Sequence, residues 1–138
     1  MNAFWWAIMT ACIWGIVPIL EKFGLAKLSP FTALFYRCLG VLLGIVLLGI
    51  FAVRPNDVKS VDVRTLLILV AAGFLASFVA QVTFYHALKI GEVSRVVPIS
   101  GAYHLIAFVL GILVFKEAVT PAKIAGVLLV VSGVWLLR

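Results

Sequence analysis

Five long apolar runs limit what this chain can fold into: residues 3–20, 31–53, 66–88, 96–115 and 122–137. A water-soluble fold would have to hide nearly all of that surface. A chain of 138 residues is too small to do so, because a small domain leaves a large fraction of its surface in solvent. With 65% apolar and 12% charged residues and a mean hydropathy of +1.27, its natural solvent is lipid. A helix crosses roughly 30 Å of hydrocarbon with about 20 mostly apolar residues. The first four runs reach or approach that length; the fifth reaches it only with its flanks. The runs lack the period-two alternation of a lipid-facing barrel, and a helix satisfies its own backbone inside the bilayer. The expectation is an all-α, polytopic integral membrane protein with one domain over residues 1–138. Its five transmembrane helices should fall near 3–22, 30–53, 64–90, 95–116 and 121–137.

Boundary residues agree with that reading. Ser29-Pro30 and Thr120-Pro121 each place an N-cap residue before a proline, and proline at the first helical position lacks only a donor that would be orphaned anyway. Lys89 and Gly91 suit the end of a helix and the residue beyond it. The stretch 54–64, with Pro55, Asn56, Asp57, Lys59 and Asp62, is the one real polar loop. No Lys or Arg precedes the first run and no small-x-small cleavage site follows it, which argues against a secretory signal peptide. Cys12 and Cys38 lie in apolar runs without zinc or CxxC spacing and read as free thiols. The net charge of +6 is spread singly or in pairs between the runs, as membrane-flanking charge rather than a nucleic-acid patch.

Five spans put Arg54, Lys59, Arg64, Lys116 and Lys123 on one face of the membrane, and Lys22, Lys27, Arg37, Lys89, Arg95 and Arg138 on the other. Five cations against six gives no positive-inside bias. Either orientation is set by other features, such as the depth of Arg37, or the chain inserts both ways. In the second case two oppositely oriented copies can pair about an axis in the membrane plane, the symmetry of inverted-repeat transporters. Gly40 and Gly44 form a GxxxG in the second run; Gly126 and Gly133, with Ala122 and Ser132, give the fifth a small-residue face. Such faces let helices approach closely in lipid, within one chain or between two.

Polar residues inside the runs are costly and therefore informative. Gly73, Ser77, Gln81 and Tyr85 recur every four residues, on one face of a helix, with Thr83 and His86 beside them. Ser100, Gly101, Tyr103 and His104 gather in the fourth run; Trp14, Pro18, Glu21 and Lys22 lie in or just past the first. Two readings compete. These groups either hydrogen-bond between helices or line a hydrated cavity with aromatic walls. His86 and His104 could carry protons, although a neutral histidine costs less in lipid. Pro98 frees the carbonyl of Ser94 if it lies within a helix, or else sits in a first turn. No catalytic constellation, metal spacing or cofactor motif is present, so neither an enzyme nor a cofactor is expected.

Three segments carry a resemblance. WGIVPILEKFGLAKLSPFTALFYR from Trp14 resembles the first-helix signature of EamA-type proteins of the drug/metabolite transporter superfamily. YHALKIGEVSRVVPI from Tyr85 resembles the hairpin between helices three and four, and LGILVFKEAVTPAKIAGVLLVVSGVWLL from Leu110 the closing helix pair. Together they cover nearly the whole chain, as one five-helix unit similar to the short bacterial and archaeal branch. The resemblance implies inverted-symmetry helical units around a cavity and solute transport by alternating access; it implies no substrate. In the small multidrug branch a glutamate lies deep in helix one, whereas Glu21 lies late and next to Lys22, which could neutralise it.

The first expectation is thus a half-size secondary transporter in the bacterial or archaeal (inner) membrane, working as an antiparallel homodimer on a small-molecule solute. Trp14, Gln81, Tyr85, Ser100, Tyr103 and His104 would line the cavity. Glu21, Lys22 and His86 are candidates for charge or coupling, with Lys22 drawing an anionic group. The alternative is a non-transporting membrane partner subunit or a component of a lipid-linked sugar flippase.

Overall fold

The computed structural model describes residues 2–54, 56, 58 and 60–137. Pro55, Asp57, Lys59 and Arg138, part of the polar loop and two cations of the charge tally, lie outside the described residues. Among the described residues all regular structure is helical. Four helices are long and apolar enough to cross a membrane: α1 (Ala3–Lys27), α2 (Pro30–Phe51), α3 (Val63–Ile90) and α4 (Val93–Phe115). A fifth apolar helix, α5 (Pro121–Leu136), has 16 residues. At 1.5 Å per residue its length is roughly 24 Å, short of the hydrocarbon thickness by itself.

Local chemistry sets the starts. The side chains of Asn2, Ser29, Asp62 and Thr120 accept from the backbone N–H groups of Trp5, Thr32, Thr65 and Lys123, satisfying donors that the first turn of a helix leaves orphaned. Pro30 and Pro121 follow two of these caps. α1 continues through the buried Pro18, which withholds an N–H from the carbonyl of Trp14 one turn back. α3 contains a π-helical segment, Leu75–Val79. α4 begins at Val93, so Pro98 lies within it, and the helix is interrupted at Ala102, whose N–H turns back to Ile99 O at 3.1 Å. α4 ends at Lys116, in the left-handed region with φ 54° and ψ 37°.

Two compact units make up the chain, Met1–Ile90 and Gly91–Arg138. In the first, α1, α2 and the C-terminal half of α3 pack together around the buried Leu25, Leu34, Tyr85 and Leu88. Most other large apolar side chains are exposed, among them Phe23, Phe35 and Leu43. In lipid that exposure needs no cover, because the surrounding chains are as apolar as leucine. In the second unit, Lys123 Nζ ties the connection before α5 by donating to Ala118 O at 2.9 Å and pairing with Glu117 at 3.6 Å.

Candidate functional site

The site belongs to the first unit. α1 and α3 run parallel there, since contacts advance together from Glu21 with Tyr85 to Leu25 with Lys89. α2 runs against them, with Phe31 edge-on to His86 and Arg37 reaching back to Ser77. Each helix places one polar side chain into the shared space. Tyr85 Oη donates to Glu21 Oε1 at 2.9 Å, and Arg37 Nε pairs with the same oxygen at 3.2 Å. The Glu21 side chain is 9% exposed and that of Arg37 27%. Arg37 Nη1 also donates to Ser77 O at 3.4 Å. Ser77 sits in the π-helical segment, where a one-residue-wider turn shifts backbone bonds from their usual i+4 pairing, so the guanidinium reaches a carbonyl of that segment. A cation and an anion at this depth each depend on the other, since either alone would be a costly intramembrane charge.

A cavity of about 330 Å³ opens beside this network. Its walls are Val17, Leu20, Gly24 and Leu28 from the first helix and its exit, and Ala33 and Tyr36 from α2, with Glu21, Arg37 and Tyr85 supplying polar atoms. Its size and mixed lining fit a small-molecule site, mostly apolar with a few convergent polar groups. At the C-terminal ends of α1 and α3 two lysines cap each other's helix. Lys22 Nζ donates to Leu88 O at 2.5 Å, and Lys89 Nζ donates to Leu25 O and, at 3.1 Å, to Leu28 O. Terminal carbonyls lack intrahelical donors and carry the negative end of the helix dipole, so ammonium groups are well placed there.

Of the six residues expected to line a cavity, Tyr85 lines this one. Trp14 stands 60% exposed on α1. Gln81 lies one helical turn from Tyr85, and its Oε1 is buried with no hydrogen-bond partner among the described residues. Ser100, Tyr103 and His104 belong to the second unit and are exposed. There Tyr103 and His104 stack, with ring centroids 4.1 Å apart, and His104 Nδ1 donates to Gly101 O at 2.5 Å. A second cavity of about 320 Å³ in that unit is lined by Ile99, Leu105, Val131, Val134 and Trp135, all apolar. His86 Nδ1 donates to Val82 O at 2.8 Å. Lys22, the neighbour that could neutralise Glu21, donates to Leu88 O, and the cation paired with Glu21 is Arg37.

Arg37 is the residue that the charge tally passed over as a flanking cation. The signal was its depth, seven residues past Pro30 inside an apolar run, where a guanidinium needs a carboxylate. The face spaced by four residues is also interrupted, because the π-helical segment rotates Gly73 relative to Gln81 and Tyr85. At Gly40, Gly44, Gly126 and Gly133 an added Cβ would meet no described atom within 4 Å.

A Sinorhizobium protein described as an uncharacterized transporter in the cobO 3′ region is 24% identical over 99% of this chain and 98% of its own length. An uncharacterized transporter of Archaeoglobus fulgidus is 24% identical over 95% of the chain, which spans only 46% of that relative. The uncharacterized protein MJ1333.1 of Methanocaldococcus jannaschii is 25% identical over 94% of the chain and 91% of its own length. No solved structure matches the chain. With the EamA-like transporter family model matching residues 1–138, and with four apolar helices of membrane-spanning length, the chain belongs to that family and is a multi-pass membrane protein.

Proposed function

We propose that the chain is a secondary transporter of a small solute, crossing the membrane five times and working by alternating access as an antiparallel homodimer. The observation that carries this reading is the Glu21–Arg37–Tyr85 network beside a cavity of about 330 Å³. An ionised pair in lipid is expensive to keep and offers polar recognition inside an otherwise apolar wall. Tyr85 and Glu21 bind solute with Arg37, and Gln81, Trp14, Ser100, Tyr103 and His104 complete the pathway in other states or from the second copy. The open faces at Gly40, Gly44, Gly126 and Gly133 support close helix pairing between copies.

The test is a metabolite screen for compounds that raise the melting temperature of the purified protein, because a ligand bound only by the folded state stabilises it by about 2.7 kcal/mol at a hundred times its Kd. Compounds that stabilise should then show counterflow in proteoliposomes, lost in Arg37→Gln. Stabilisation without counterflow would favour a non-transporting partner subunit.

A further inference from the structure

We infer that the end of the first unit where α1 and α3 stop is a binding site for the headgroup phosphate of an anionic phospholipid. Lys22, Lys27 and Lys89 do not line the Glu21–Arg37 cavity, so this site stands whether or not the chain transports. α1 and α3 run parallel, so their C-terminal ends lie on one face of the membrane, with Lys22 and Lys27 on α1 and Lys89 on α3. No carboxylate of the first unit balances these cations among the described residues. Glu21 is held by Arg37 and Tyr85, and Asp62 caps the opposite end of α3. The connection that follows adds Glu92 and Arg95, which cancel. Two helix C-termini supply about half a negative charge each, and the N-terminus of α2, at the same end, about half a positive one. Against three ammonium groups, a surplus of about 2.5 positive charges remains.

Packing fixes where two of those charges sit. Leu25 and Leu88 are buried, and their carbonyls receive the ammonium groups of Lys89 and Lys22. Both lysines are thereby held at the joint between two helices, so a ligand meets them without having to order a long side chain. An ammonium has three donors. Lys89 spends two, on Leu25 O and Leu28 O, and keeps one among the described residues. Lys27, in the last turn of α1, is exposed. The surroundings favour a lipid over a soluble anion. Phe23 follows Lys22 directly and Phe31 opens α2, both exposed; Ile90 follows Lys89 and is 90% exposed. A phosphate that carries acyl chains covers these side chains while it meets the cations, and a phosphate without them does not. Each ammonium beside an anionic headgroup is worth about fivefold in affinity.

Native mass spectrometry of the full chain in detergent, offered equal amounts of phosphatidylglycerol and phosphatidylcholine, counts the lipid retained. The wild type should hold phosphatidylglycerol at least about tenfold more tightly than phosphatidylcholine. Lys27→Gln removes a cation that holds no carbonyl among the described residues, and should cut that preference about fivefold. Lys22→Gln with Lys89→Gln should abolish it. Arg54→Gln with Arg64→Gln takes two cations from the opposite end and should leave the preference within about twofold. A loss there equal to that of the lysine variants would mean that net charge alone attracts the lipid, which overturns the inference. Equal retention of both lipids by the wild type overturns it too. Lys27→Gln leaves both helix ends tied, so an unchanged preference in that variant overturns it even where the double lysine variant fails to fold. Inorganic phosphate and glycerol phosphate at millimolar concentration separate the two sources of the anion. Phosphatidylglycerol that stays bound supports the headgroup site; phosphatidylglycerol displaced by either would show a site for a soluble anion instead, and ends the lipid assignment.

Discussion

Arg37 makes its site by being shared: its guanidinium spans a carboxylate on α1 and a backbone carbonyl on α3. Removing one member of a buried pair strands the other, at a cost of about 3–5 kcal/mol. Arg37→Met should lose about 3 kcal/mol, while Glu21→Leu combined with Arg37→Met should come within about 1 kcal/mol of the parent, because no charge is stranded. Reversible unfolding in mixed micelles measures both; a double variant as weak as the single one would mean the pair is not coupled. Gln81 is the opposite case. A buried acceptor without a donor carries a desolvation cost of about 1–3 kcal/mol. Gln81→Met should therefore raise stability by about 1 kcal/mol, and a fall in stability would assign it a structural bond. Glu21, Tyr85 and Gln81 were all visible in the sequence as polar residues in or just past apolar runs. That Glu21 meets Tyr85 and Arg37 was not, because local spacing holds no distance between helices.

Elements were easier to read than contacts. Ser29-Pro30 and Thr120-Pro121 mark helix starts in the sequence, and both cap side chains accept from the third residue on. Such signals are local, so a single sequence carries them. The π-helical segment, Leu75–Val79, leaves no comparable mark, since LASFV contains neither proline nor glycine. There Arg37 Nη1 reaches the Ser77 carbonyl at 3.4 Å, a contact between helices that local sequence does not encode. At the start of α3, outside the hydrocarbon, Asp62 Oδ2 accepts from Thr65 N–H at 2.9 Å. The Thr65 hydroxyl and then its backbone N–H hold the Asp62 carboxyl below its ordinary value of 3.8. A depressed folded value means that the cap contributes fully above the unfolded pKa and fades as pH falls through the folded one. The protection factor of the Thr65 amide in hydrogen exchange should therefore drop below about pH 4. Asp62→Asn, which keeps an acceptor without a titrating proton, should show no such drop; the same drop in both would place the effect elsewhere.

At the scale of the whole molecule the open question is which way the chain lies, and the balance of five cations against six is what the antiparallel dimer requires. Positive charge on short loops fixes orientation, so an even count predicts insertion both ways. C-terminal reporters active only on opposite sides of the membrane should then both give signal from the wild-type chain; signal from one alone would end self-pairing in opposite orientations, though not transport. The stronger test separates the two orientations and then recombines them. Arg54→Gln with Arg64→Gln leaves three cations against six, and Lys27→Gln with Arg95→Gln and Ser60→Lys leaves six against four. Each variant should insert one way. None of the five positions lines the Glu21–Arg37 cavity, so either variant alone keeps an intact site but can assemble only parallel copies. Flux of a solute carried by the wild type should fall to background with either variant and return when the two are expressed together. Full flux from one variant by itself would show that a single orientation suffices, and the inverted symmetry would then have to come from something other than a second copy of this chain.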